Sequence, residues 1–308
     1  MSGVKTSAAG WRAAGGQVAR SGEQKGMAGW GSGLVGVIIF SGSLPATRIA
    51  VAGFPPLFLT SARALIAALL GVGLLVLLRQ ARPRREDIGP LAIVAAGVVV
   101  GFPLLTAFAL QHMTSARSIV FIGLLPLATA IFGVLRGGER PRPLFWLFSG
   151  LGSVTVAVFA FSGGGSSSAI ADATMVAAVV LCGLGYAEGA RLSRRLGGWQ
   201  VISWALVLAA PAMLALTLLT LPQSLHGIGA PAWLALGYVS VFSMMVGFMF
   251  WYRGLALGGI AQVGQLQLLQ PFFGLSLSAL LLGEPVALGM VAATGVVVVC
   301  VAFARRFA

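Results

Sequence analysis

The sequence predicts an all-α membrane protein with ten transmembrane helices in two inverted five-helix repeats. Three observations carry that prediction. The chain is 58% hydrophobic and only 9% charged, with a mean hydropathy of +0.98. Soluble proteins carry about 25% charged residues, so the bilayer is the solvent that this surface needs. The apolar residues fall into ten runs, each near the roughly 20 residues that cross the hydrocarbon as a helix. The third observation is a repeat. Sliding residues 110–157 onto 255–302 without a gap places Leu124 on Leu269, Pro126 on Pro271, Gly138 on Gly283, Glu139 on Glu284 and Gly150 on Gly295. Such self-similarity marks a duplicated bundle, and folds of that kind are mostly transporters.

Residues 1–26 hold Lys5, Arg12, Arg20 and Lys25 among many small residues, with no apolar core of a cleaved signal. They read as a flexible cytoplasmic tail. Runs at 28–48, 55–79, 88–111, 115–136 and 143–162 then build a first repeat over 27–162. Runs at 171–192, 199–221, 231–252, 259–282 and 285–304 build a second over 163–308. They are helices, because they are long and continuous where barrel strands would alternate. Short links such as Arg79–Asp87, Gly137–Arg142 and Gly163–Ser168 separate them.

A net charge of +13 invites a nucleic-acid reading, but the distribution of the charge opposes it. Seventeen of the 20 Lys and Arg fall in segments that ten alternating spans place on one side. Only Arg48 and Arg117 fall on the other, and Arg63 lies within a span. Basic residues collect on the cytoplasmic side, so both termini are expected there. Five spans per repeat is odd, so the halves are inverted. Such a pair can exchange conformations and open to each side in turn.

Two five-helix halves, each with Pro-x12-Glu bridging its fourth and fifth helices (Pro126 to Glu139, Pro271 to Glu284), resemble the drug/metabolite transporter superfamily in its EamA-type branch. The resemblance covers about residues 28–305. It implies a carrier of the bacterial inner membrane with a central cavity, closest in kind to the aromatic and neutral amino-acid exporters.

The candidate site residues follow from what is costly in hydrocarbon. Arg63 lies in the outer third of the second span. A charge there costs about 2.5–3.5 kcal/mol or more, so it faces a polar interior and meets a substrate carboxylate, or it snorkels outward and serves structure. The ninth span carries Gln262, Gln265, Gln267 and Gln270. At 100° per residue the first, second and fourth share a broad face, with Gln267 at its edge. They form either a cavity wall for a zwitterion or glue between helices. Tyr186 and Trp204 are candidates for a wall around an apolar side chain, whereas Trp251 and Tyr252, beside Arg253, read as an interfacial belt. Pro126, Pro271 and Pro103 each remove a helical hydrogen bond and suit a hinge. Glu139 and Glu284 follow glycines at helix ends and read as caps or ion-pair partners. Cys182 and Cys300, in apolar runs, read as packing residues.

No enzyme motif, phosphate-binding loop or metal cluster is present in the sequence. The expected partners are a small-molecule substrate and membrane lipid, without nucleic acid, cofactor or ATPase subunit. Asp172 and Glu188 lie near span ends and His112 and His226 in outer segments, away from the mid-membrane positions that proton coupling uses. The expectation is therefore a facilitator of amino-acid export. The alternatives are a proton-coupled exporter of drugs, sugars or nucleosides, or a lipid scramblase or membrane enzyme. The topology is tested by single cysteines at Ser166 and Arg82. An impermeant thiol reagent added to intact cells should label the first and spare the second; labelling of both, or neither, from outside refutes the inverted arrangement.

Overall fold

The computed structural model describes residues 24, 26–113, 118, 121–162, 169–222, 224, 227–282 and 288–308. The tail up to residue 23, the 163–168 link, Arg117, His226 and Glu284 lie outside them. In chain order the helices are α1 (Gly26–Ala50), α2 (Pro56–Leu77), α3 (Arg85–His112), α4 (Leu125–Gly137) and α5 (Pro143–Ser162). The second half supplies α6 (Ala169–Leu196), α7 (Gly198–Leu219), α8 (Ala230–Gly258), α9 (Ile260–Gly264 running on through Gln265–Leu269 and Gln270–Leu282) and α10 (Leu288–Phe307). Six of these, α1, α2, α3, α6, α7 and α8, are long and apolar enough to cross a membrane. No strand occurs among the described residues.

Local chemistry sets the helix ends. Pro56 opens α2 at a position where its missing N–H is unneeded. At the head of α3 the Asp87 carboxylate accepts the Arg84 N–H at 2.9 Å, occupying a donor that has no partner within the helix. Gly138, at φ 69°, ends α4 in the left-handed conformation that closes helices.

Helices that the repeat makes counterparts lie against each other: α2 packs along α7, and α5 along α10. Between them α6 packs on α3 and α4, while α1 meets α8. Four helices around the centre are not regular. α1 turns at Gly42. α3 widens to a π-helix over Ala95–Gly101, and α8 does so over Val239–Val246. α9 tightens to a 3-10 helix over Gln265–Leu269. The expected hinge prolines sit directly beyond such changes. Pro103 is the second residue after the α3 π segment, Pro271 the second after the α9 3-10 segment, and Pro126 the second residue of α4, after a turn at Gly123–Leu124. Pro126 thus opens its helix, where a missing N–H costs little; Pro103 and Pro271 stand inside α3 and α9, which run on through them, and each removes a helical donor there.

One crossing depends on glycine. Gly29 and Gly33 of α1, four residues apart, face Gly254 and Gly258 of α8. A Cβ on Gly254 would stand 2.7 Å from the Gly33 amide nitrogen, and one on Gly29 would stand 2.6 Å from that of Gly258. Small residues at this spacing let two backbones touch where lipid supplies no hydrophobic drive. Gly254→Ala should lower stability by about 1–3 kcal/mol, read as a lower melting temperature in detergent. Gly150→Ala, whose added methyl meets nothing within 4 Å, is the control and should melt as the wild type does.

Candidate functional site

A narrow cleft with an enclosed volume of about 30 Å³ lies at the centre, where the turn of α1 and the π segments of α3 and α8 meet α2, α6 and Gln270 of α9. One wall is polar. Arg63 of α2 is only 6% exposed and donates from Nη2 to Ser243 Oγ at 3.3 Å. Ser243 shares a 2.7 Å hydrogen bond with Ser43 of α1. Ser243 belongs to the π segment of α8, which packs against α2 and brings this hydroxyl to the guanidinium. Thr47 and Thr106 also line the cleft. The other wall is aromatic. Phe40 lies 5.0 Å from Phe248 and 6.5 Å from Tyr186, centroid to centroid. Trp251 and Tyr252 continue this cluster toward the end that carries the basic links, 5.4 Å from Tyr186 and Phe248 respectively.

Gln270 joins the two walls. Its Nε2 donates to the Phe40 carbonyl at 3.4 Å, and the neighbouring Ile39 carbonyl accepts Tyr238 Oη at 2.6 Å. Both carbonyls precede the turn at Gly42. Side chains from α9 and α8 thus serve backbone acceptors at an irregularity, as a water-free interior requires.

The basic end is tied together by ion pairs centred on α6. Glu188, fully buried, accepts from Arg136 at 3.0 Å and from Arg191. Arg195 reaches Glu86 at 3.0 Å and also the buried Asp87. Glu139 accepts Arg194 at 3.1 Å, while its two oxygens accept the Ile260 and Ala261 amides at 2.7 and 2.6 Å. A carboxylate at a helix N-terminus satisfies unpaired amides and meets the positive end of the helix dipole. The cap expected at Glu139 is present and joins the α4–α5 link to α9; the matching expectation for Glu284 lies outside the described residues.

The expected site residues separate in space. Arg63, Tyr186, Pro103 and Gln270 line the cleft. Arg63 does not snorkel outward but is buried against Ser243. The shared glutamine face does not form, because the 3-10 turn breaks the 100° progression on which it depended. Gln265 donates to Ser149 of α5 at 3.1 Å, and Gln267 pairs with Thr129 of α4 at 3.5 Å. Gln262 is half-buried and is not among the described lining residues. Trp204 is half-buried against the core, on α7, which packs along α2 and supplies no described lining residue. The interfacial belt expected of Trp251 and Tyr252 is also corrected. Both are fully buried, and Tyr252 Oη donates to the Gly185 carbonyl at 3.2 Å. Gly189 on α6 makes room, since a Cβ there would stand 2.2 Å from the Tyr252 ring. Ser43, Ser243 and Phe248 were missed, because a lone serine or phenylalanine in an apolar run carries no signal of its own.

Six crossing-length apolar helices, joined through a tightly packed core with a central cleft that has one charged wall, define a multi-pass membrane protein. The comparisons with known proteins agree. Residues 27–161 and 169–306 each match the EamA-like transporter family, and the chain belongs to that family. It is similar to the uncharacterized transporter YdeK of Bacillus subtilis (strain 168), 65% identical over 91% of this chain and 98% of the relative. A solved crystal structure at 19% identity superposes with a TM-score of 0.75 over 91% of this chain and 99% of its own; it shares the fold.

Replacing Glu139 by Gln removes the charge and one of the two acceptors. This should cost about 1–2 kcal/mol, seen as a lower melting temperature, with Glu139→Ala costing more. Equal melting of all three proteins would remove the cap from the account.

Proposed function

We propose that this transporter is a secondary carrier that exports small metabolites, in particular neutral and aromatic amino acids, across the bacterial inner membrane. It crosses the membrane ten times in two inverted repeats over 27–162 and 163–308, with both termini cytoplasmic. It works as a facilitator by alternating access, with Pro103, Pro126 and Pro271 at the pieces that move. Two separate matches to one family, over 27–161 and 169–306, support the division into repeats. The observation that carries the substrate class is the two-walled cleft: a buried guanidinium with hydroxyls on one side, and Phe40, Tyr186 and Phe248 on the other. Arg63, Gln270 and Tyr186 contact the substrate, while Gln262, Gln265 and Trp204 hold the surrounding scaffold.

The test is flux into liposomes that contain only this protein. Labelled phenylalanine should equilibrate down its gradient without a pH difference, and ribose and uridine should not. Phenylalanine-driven proton movement would overturn the facilitator. Flux of ribose or uridine in place of amino acids would overturn the substrate class.

A further inference from the structure

We propose that the cleft selects its cargo with one unmatched donor and one unmatched acceptor. The Arg63 guanidinium takes a carboxylate, and the Gln270 carboxamide oxygen takes an ammonium on the same molecule. The cargo is therefore a zwitterion, with its apolar remainder against the aromatic wall. This inference rests on the carrier function proposed above and adds the atoms that do the selecting.

The argument starts from buried polar atoms that have no hydrogen-bond partner. Among the described residues these occur at several places in the bundle, yet within the lining of the cleft there are two, Arg63 Nε and Gln270 Oε1. A guanidinium carries five N–H donors. Arg63 makes one hydrogen bond, to a neutral hydroxyl at 3.3 Å, and no salt bridge to any described residue. A charge 94% buried and so poorly matched is costly unless an anion arrives to pair with it. Gln270 is the complementary case. It is 8% exposed, and its amide is oriented by the Phe40 carbonyl, which can only accept. Nε2 therefore faces Phe40, and Oε1 is left without a donor.

The two orphans border the same cleft and are tied to the same stretch of α1: Arg63 is held at Ser243, which bonds Ser43, and Gln270 is held at Phe40. The rings of Phe40, Tyr186 and Phe248 line the same cleft and offer an apolar surface beside the two orphans. A free amine would bring its charge to Arg63 and be repelled. A simple carboxylate would satisfy Arg63 and leave Gln270 Oε1 without a donor.

Three probes of one shape test this: phenylalanine, 3-phenylpropionate and phenethylamine. Each is measured for flux into proteoliposomes and for ligand-induced stabilisation of the purified protein in detergent. The wild type should prefer phenylalanine to 3-phenylpropionate and should neither carry nor be stabilised by phenethylamine. Arg63→Gln should lower kcat/KM for phenylalanine by about ten- to a hundredfold, with partial recovery in Arg63→Lys. Gln270→Leu should bring the phenylalanine to 3-phenylpropionate preference close to one. Should Arg63→Gln fail to fold, the Gln270→Leu ratio decides. Equal handling of phenethylamine and phenylalanine by the wild type, or an unchanged ratio in Gln270→Leu, overturns the proposal. If the wild type carries phenylalanine and the analogues do not separate, only the recognition scheme falls. If it carries and binds none of the three, the amino-acid carrier falls with it.

Discussion

Hydrocarbon offers no hydrogen bonds, and every departure from a regular helix inside it must be answered by another part of the protein. In this molecule the departures are concentrated. The turn in α1 and the π segments of α3 and α8 border the same cleft, and the 3-10 turn of α9 ends directly before Gln270, which lines it. Tyr238 and Gln270 answer the carbonyls of Ile39 and Phe40, and the α8 π segment presents Ser243 to Arg63. Polar chemistry at the centre is thus a consequence of backbone irregularity there. The more regular α5 and α7 supply packing and no described lining residue.

The duplication explains why the cleft is central. Phe40 and Tyr186 are 146 residues apart and stack at 15°. Both π segments end at a Gly-Phe step, Gly101-Phe102 and Gly247-Phe248, again 146 apart, and both phenylalanines line the cleft. Leu125 and Gln270, 145 apart, line it as well. Positions about one repeat length apart therefore meet at one place, as the inverted pair of repeats proposed above would bring them together near its axis. The halves differ in chemistry at these positions: Leu125 in one stands where Gln270 stands in the other, and Phe40 stacks on Tyr186, so the cleft is asymmetric although the scaffold is repeated.

Much of this could be read from the sequence, and the remainder failed for definite reasons. Apolar run length and the 145-residue repeat located the helices, because both depend on composition averaged over many residues. Arg63 was legible because one charge in an apolar run must be explained. The glutamine face was misplaced because the 100° rule assumes a regular helix, and the 3-10 turn sits on Gln265 and Gln267 themselves. Trp251 and Tyr252 were placed at the interface because Arg253 follows them. Nothing local reveals that Gly189, more than sixty residues away, leaves a space for the Tyr252 ring. Pairings such as Glu188 with Arg136 are likewise set by how helices dock, which no single segment encodes.

The ion pairs at the basic end differ in how deeply their partners are buried. The arginines paired to Glu188, Glu139, Glu86 and Asp87 are between 40% and 48% exposed. The exposed Arg195–Glu86 pair contributes about 0–1 kcal/mol, and the arginines can return to solvent when the pairs part. The carboxylates of Glu188 and Asp87 are fully buried and gain most from staying paired. Separation of α6 from α3 and α4 would therefore have to bring water to these two acids. At the opposite end α1 and α3 are joined through Arg48 and the Leu110 carbonyl. For the alternating access proposed above, which needs two states within a few kcal/mol of each other, the arginines are the easy half of the change and the hydration of Glu188 and Asp87 the costly half.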